Sequence, residues 1–158
     1  IDCFASCYYD FPIRNTLTQF KDHAQFQYIP LLTACLLSLP KPRVQAIVPM
    51  PISTEKLIHR GYNQTDLLAT QLSRYWQIPV WRPIEHLPSH SQRGLSRAER
   101  LHNLKNKLRP VTPVCRYKHV LLLDDVITTG SSLYALHSAL SDLGCTRLQS
   151  LVLCDAKH

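Results

Sequence analysis

Val120-Leu121-Leu122-Leu123-Asp124-Asp125-Val126-Ile127-Thr128-Thr129-Gly130-Ser131-Ser132 is the stretch on which the fold turns. Four consecutive apolar residues suit a central strand buried on both faces, where alternation of polar and apolar positions is not needed. Two adjacent acids end the run, a hydroxyl-rich turn around Gly130 follows, and then a helix opens. Free backbone N–H groups and the positive end of a helix dipole converge at such a turn, which suits an anion. Thr128, Thr129, Ser131 and Ser132 add hydroxyls, and Gly130 lets the backbone approach the ligand. Asp124 and Asp125 are placed to accept hydrogen bonds from vicinal hydroxyls or to approach a divalent cation. A phosphate with a polyol behind it is a sugar phosphate, and a pentose 5-phosphate fits. The bland alternative is that the acids cap the strand while Thr128 or Thr129 caps the helix. Adjacent acids do not make the D-x-D of haloacid-dehalogenase phosphatases.

Outward from this stretch, a helix is expected over 131–143, with Leu133, Leu136, Leu140 and Leu143 on one stripe and Gly144 at its end. Leu148 to Leu153 reads as the next strand. Strand, helix and strand in that order make a βαβ unit, so the class is α/β with a mostly parallel central sheet flanked by helices. Upstream, Phe4–Tyr9 reads as a short strand, Asn15–Phe26 and Ile29–Leu39 as helices, and Val44–Val48 as a strand closed by Pro49-Met50-Pro51. A further helix starts at Thr65-Asp66 and stops before Pro79. Ile78–Ile84, interrupted by prolines, reads as an edge strand, and Leu87–Pro113 as a mobile flap. The whole chain, 1–158, is taken as a single domain.

Composition removes several classes. The 158 residues hold four glycines, Gly61, Gly94, Gly130 and Gly144, too far apart for a G-x-G-x-x-G or G-x-x-x-x-G-K loop. Net charge is +7, and the segment from Arg82 to Lys118 holds nine lysines and arginines against two acids. The rest of the chain balances, so the whole excess sits in one stretch. That stretch suits phosphate-rich partners, nucleic acid or a phosphorylated small molecule. The six cysteines include no C-x-x-C pair, so a complete zinc site is not expected, and Cys35, Cys145 and Cys154 read as buried thiols. No stretch is long and apolar enough to enter a membrane, and cytoplasm is the default location.

The 120–132 segment resembles the PRPP-binding motif of type I phosphoribosyltransferases, with Ser132 in place of the usual threonine or alanine. A narrower resemblance runs through Ile47-Val48-Pro49-Met50-Pro51-Ile52-Ser53, Arg60-Gly61-Tyr62-Asn63-Gln64 with Leu67-Leu68-Ala69, then Gln92 and Arg100-x-x-Asn103. These are similar to the ComF family, the ComFC/GntX group, linked to uptake of transforming DNA. The resemblance implies a type I phosphoribosyltransferase fold in which Asp124 and Asp125 meet the ribose hydroxyls of PRPP and serve as its catalytic pair. Thr128, Thr129, Gly130, Ser131 and Ser132 hold the 5-phosphate. Met50, Pro51, Arg60, Asn63 and Gln64 lie on the pyrophosphate side, with capping the next helix as the alternative role for Asn63. Gln92, Arg97, Arg100 and Asn103 belong to a flap that closes over the ligand. Mg²⁺ enters with PRPP, near Asp124 or Asp125, and no metal is held by protein ligands alone. Zinc is implied only through an N-terminal four-cysteine module that this sequence does not show. The last strand, where relatives often carry arginine, ends Cys154-Asp155.

Three outcomes follow from this pocket. The chain binds PRPP or ribose 5-phosphate in the service of DNA uptake and natural transformation, with single-stranded DNA and other uptake proteins as partners. Or it is an active Mg-dependent phosphoribosyltransferase that transfers to a nucleobase or amine and releases pyrophosphate. Or it senses PRPP without chemistry. Tyr75, Trp76, Trp81 and Tyr117 flank the basic stretch and offer rings for stacking bases, or else belong to the core. A homo-oligomer is compatible with all three.

Overall fold

A computed structural model describes residues 2–88 and 107–156, together with Ser96, Ala98, Glu99 and His102. Its central sheet is built from β1 (Cys3–Tyr8), β2 (Ala46–Pro49), β5 (His119–Ile127) and β6 (Arg147–Asp155), in the order β1-β6-β5-β2. Every pairing is parallel. The expected parallel α/β architecture is therefore present.

β5 and β6 occupy the middle, and their composition explains why. In β5, Leu121 and Leu123 pack into one hydrophobic cluster, while Val120 and Leu122 pack into the other. Successive residues of a strand face opposite sides, so an unbroken apolar run is what a strand covered on both faces requires. The first cluster is closed by α1 (Ile13–His23), α2 (Ile29–Leu37) and α4 (Gln64–Trp76), through Leu17, Phe20, Leu32, Leu36, Leu68 and Leu72. The second is closed by α5 (Ser131–Leu143), through Leu133, Leu136 and Leu140. Each fully buried leucine contributes roughly 1.5–3 kcal/mol relative to exposure.

Four expectations need correction. A short helix, α3 (Thr54–Arg60), stands where no element was expected; Ser53 caps it, accepting from the Lys56 N–H, and Gly61 ends it at φ +87°. The helix placed at Asn15–Phe26 starts and stops earlier, and a 3₁₀ turn over Phe26–Tyr28 follows. The strand expected over Ile78–Ile84 is reduced to a single bridge from Val80 to Ile47, because Pro79 and Pro83 lack the N–H that a ladder needs. Instead β3 (Ile84–His86) pairs antiparallel with β4 (Leu108–Pro110), a ribbon inside the region read as flap. Between its strands lie Gln92, Arg97, Arg100 and Asn103, all outside the described residues.

The aromatic and thiol readings divide. Trp76 is 6% exposed and belongs to the core, so its ring offers no face for stacking a base. Trp81 and Tyr117 meet edge to face at 5.4 Å, while Tyr75 is exposed. Cys145 and Cys154 are buried and Cys35 is half-buried; burial pushes the first two thiols up to about 12 and Cys35 to about 11.

Candidate functional site

The carboxyl end of β5 delivers Asp124 and Asp125, 8% and 5% exposed, to a cleft of about 550 Å³. Open α/β sheets bind ligands at this end of their strands. The cleft gathers residues remote in sequence: Lys21 from α1, Met50 to Ser53 after β2, Lys56 and Arg60 from α3, and Asn63 and Gln64 at the start of α4. His86, Lys107 and Leu108 close it from the ribbon side, and Thr128 and Ser132 from the turn before α5.

The two carboxylates live in different surroundings. Asp125 Oδ2 lies 3.0 Å from the Lys21 ammonium and accepts from Gln64 Nε2 at 3.0 Å; its Oδ1 accepts from the Val126 N–H at 2.7 Å. Burial alone would raise this carboxyl, but the Lys21 charge and the Gln64 bond outweigh it and hold it below the usual carboxylate range. Asp124 has one such contact, accepting from the Asp125 N–H at 2.8 Å. Burial, and then the negative charge of Asp125, hold its proton on to well above the usual range. The pair therefore presents carboxyl oxygens in two different settings to the cleft, and carboxyl oxygens accept hydrogen bonds from hydroxyls.

Gln64 is the hub of the opposite wall. Its Oε1 accepts from Arg60 Nη1 while its Nε2 donates to Asp125, and Arg60 Nη2 lies 3.7 Å from Asp22. Asn63 is spent on backbone: its side-chain oxygen caps α4 by accepting from the Thr65 and Asp66 N–H groups, and its Nδ2 donates to the Met50 carbonyl at 3.1 Å. It shapes the cleft by tying the loop after β2 to α4. The capping alternative for Asn63 is thus the one the geometry supports.

Gly130 stands at the N-cap of α5 with φ +77°, and no side chain caps that helix. A Cβ there would meet only Ile127 Cδ1, at 3.7 Å, so backbone angle rather than crowding calls for glycine. Thr129, Gly130 and Ser131 belong to the turn but not to the cleft wall. Thr129 Oγ1 lies 2.8 Å from Ser131 Oγ and accepts from the Ser131 N–H at 3.3 Å. Of the residues expected at the site, the structure brings together Asp124, Asp125, Thr128, Ser132, Met50, Pro51, Arg60, Asn63 and Gln64. Sequence reasoning missed Lys21 and Lys56 and did not place His86 at the site, while Lys107 lies in the basic stretch that it read as suiting phosphate. Lys21 carries no local signal; the fold alone brings it to an acid a hundred positions away.

Among the described residues, no three His, Cys, Asp or Glu side chains cluster closely enough to hold a metal. No helix among them is long and apolar enough to cross a membrane.

No protein-family model matches the chain. Competence protein F of Haemophilus influenzae is 41% identical over 111 residues, 66% of this chain and 48% of that protein. DNA utilization protein YhgH of Escherichia coli K12 is 35% identical over 111 residues, 68% of this chain and 48% of that one. Competence protein ComFC of Bacillus subtilis is 32% identical over 93 residues, 56% and 35% of the two chains. The chain thus spans about half the length of the first two relatives. Among solved structures, glutamine phosphoribosylpyrophosphate amidotransferase from B. subtilis superposes with a TM-score of 0.53 over 78% of this chain and 25% of that one, at 17% identity. An allosteric regulatory enzyme of purine biosynthesis does so at 0.54, with the same coverage and identity. The parallel sheet, the acids at its carboxyl edge and these relatives agree: the chain is a homologue of Competence protein F, ComFC and YhgH, built on the type I phosphoribosyltransferase fold.

Proposed function

We propose that the cleft at the carboxyl end of β5 binds phosphoribosyl pyrophosphate or ribose 5-phosphate, and that the chain acts in DNA uptake. The observation that carries this is the pairing of Asp124 and Asp125 with Thr128 and Ser132 in one cleft whose other wall holds Lys21, Lys56, Arg60 and Lys107. A ligand with a phosphate at one end, a vicinal diol in the middle and further negative charge at the other end matches that order. The uncapped start of α5 supplies N–H donors to the 5-phosphate. The carboxyl pair takes the ribose hydroxyls, and the cations face the pyrophosphate.

Mg²⁺ fits this arrangement as a companion of the ligand. Two carboxyls, one of them already paired with Lys21, are too few to hold it alone, and Mg²⁺ commonly uses one or two carboxylates plus phosphate oxygens and water. When bound, it would neutralise the pyrophosphate charge, with Asp124 or Asp125 as the protein's contribution. The DNA-uptake role rests on the names of the relatives, two competence proteins and a DNA utilization protein. Within the basic stretch that suits nucleic acid, Arg93, Arg97 and Arg100 lie outside the described residues.

Calorimetric titration with PRPP, with and without Mg²⁺, tests the reading. Saturable binding near micromolar affinity, strengthened by Mg²⁺, is expected. Absence of binding by both PRPP and ribose 5-phosphate would overturn it.

A further inference from the structure

Beside the first cleft lies a second, of about 540 Å³, lined by Lys21, Asp22, Ala24, Glu55, Lys56, His59, Arg60 and Tyr62. Lys21, Lys56 and Arg60 line both, so three cations form the shared wall. From this geometry we infer that the second cleft binds a separate small ligand bearing a phosphate or carboxylate, held against that wall from the side opposite the sugar phosphate. The proposed function enters only in what fills the first cleft.

Charge and fixed geometry both support the site. Lys21 is neutralised by Asp125, and Arg60 is shared between Gln64 and Asp22. Among the described residues Lys56 makes no ion pair, although it projects from the first turn of α3 into both clefts. Of the two acids in the second cleft, Asp22 faces Arg60 and Glu55 has an interaction of its own. An incoming anion therefore meets an unpaired ammonium, with the His59 imidazole one turn away on the same helix.

The far wall is rigid. The Tyr62 hydroxyl donates to the Phe20 and Lys21 carbonyls, the latter at 3.0 Å, and its ring meets Phe26 at 5.0 Å and Phe20 at 5.9 Å between centroids. The hydroxyl is spent on the backbone of α1, which leaves the ring as a fixed apolar wall. It is the same contact that holds the Lys21 end of α1 in place. A volume of this size accommodates a small organic molecule rather than a bare ion.

The test uses the intact chain and the His59 imidazole resonances, assigned by their loss in His59→Ala. Ribose 5-phosphate is first titrated to saturation, read at the Thr128 to Ser132 amides for the first cleft and at His59 for the second. Inorganic phosphate and benzoate are then added separately while His59 is followed by NMR. A saturable shift with one or both probes is expected, weakened about tenfold in Lys56→Gln, as loss of a charge-assisted contact implies. Response to phosphate only assigns a phosphate-bearing ligand, and response to benzoate only a carboxylate-bearing one. Resonances that neither probe moves in the millimolar range, or an affinity unchanged in Lys56→Gln, would overturn the inference. If ribose 5-phosphate does not bind, the proposed function fails on its own, and the probes are read on the ligand-free protein.

Discussion

The two ends of β5 treat their polar groups in opposite ways. At the amino end several donors and acceptors pair within the protein's own frame. Gln45 Oε1 accepts from the Lys118 and His119 N–H groups at 2.9 and 3.0 Å, and the Lys118 carbonyl accepts from Thr146 and Arg147. Lys118 Nζ donates to the Gly144 carbonyl at the end of α5, and the Cys115 and Cys145 thiols both donate to the Tyr117 carbonyl at 3.3 Å. At the carboxyl end, α5 begins without a side-chain cap, Thr128 and Ser132 are exposed, and burial together with the neighbouring Asp125 charge raises the Asp124 carboxyl. Polar groups are tied to one another at one end and left exposed at the other.

Substitutions at the two ends should therefore separate binding from stability. The largest effect is expected in the double variant Asp124→Asn, Asp125→Asn. In the proposed complex both carboxyls face ribose hydroxyls, so losing the two contacts should lower affinity for ribose 5-phosphate by about 100-fold by calorimetry. A folded double variant that binds as wild type would place the ligand elsewhere. Next come Thr128→Val and Ser132→Ala, each expected to weaken phosphate binding about tenfold. Thr129→Val, whose hydroxyl already faces Ser131, should do less. Equal losses at all three positions would show that the turn rearranges around the ligand.

The opposite pattern is expected at the amino end. Gln45→Ala removes two hydrogen bonds to exposed backbone N–H groups and should cost about 1 kcal/mol in chemical denaturation, with ligand affinity unchanged. The smallest effect has a sign that depends on pH. In the unfolded chain Asp124 loses its proton near pH 4, whereas the fold holds that proton to higher pH. Its favourable contribution is thus complete below about pH 4 and is lost as the pH rises. Asn copies the protonated form, so Asp124→Asn should match wild type at low pH and exceed it in Tm by a few degrees at neutral pH. A variant less stable than wild type at pH 7.5 would contradict the upward shift of the Asp124 carboxyl.

What could be read in the sequence followed from how local the signal was. The β5–turn–α5 unit was legible residue by residue, because an apolar run, two acids, a glycine and a leucine stripe act within one βαβ unit. Ser53, Glu55 and Gly61 do carry the cap, first-turn acid and C-terminal glycine of α3, yet a helix that short has too little apolar periodicity to announce itself. The β3–β4 ribbon was hidden for the same reason, its three-residue strands lying next to prolines. Lys21 was invisible for a deeper one. It sits on α1 among ordinary helix residues, and only the crossover that sets β1 and α1 beside β6 and β5 brings its ammonium to Asp125. The site's acids and turn were thus readable, while most of the cations opposite them were a product of topology.

The most direct measurement is a backbone amide NMR titration of the intact chain with ribose 5-phosphate. The account expects saturable shifts at Asp125 and from Thr128 to Ser132, with Gln45, Lys118 and Thr146 unmoved. Shifts confined to the amino end, or none at the turn before α5, would contradict it.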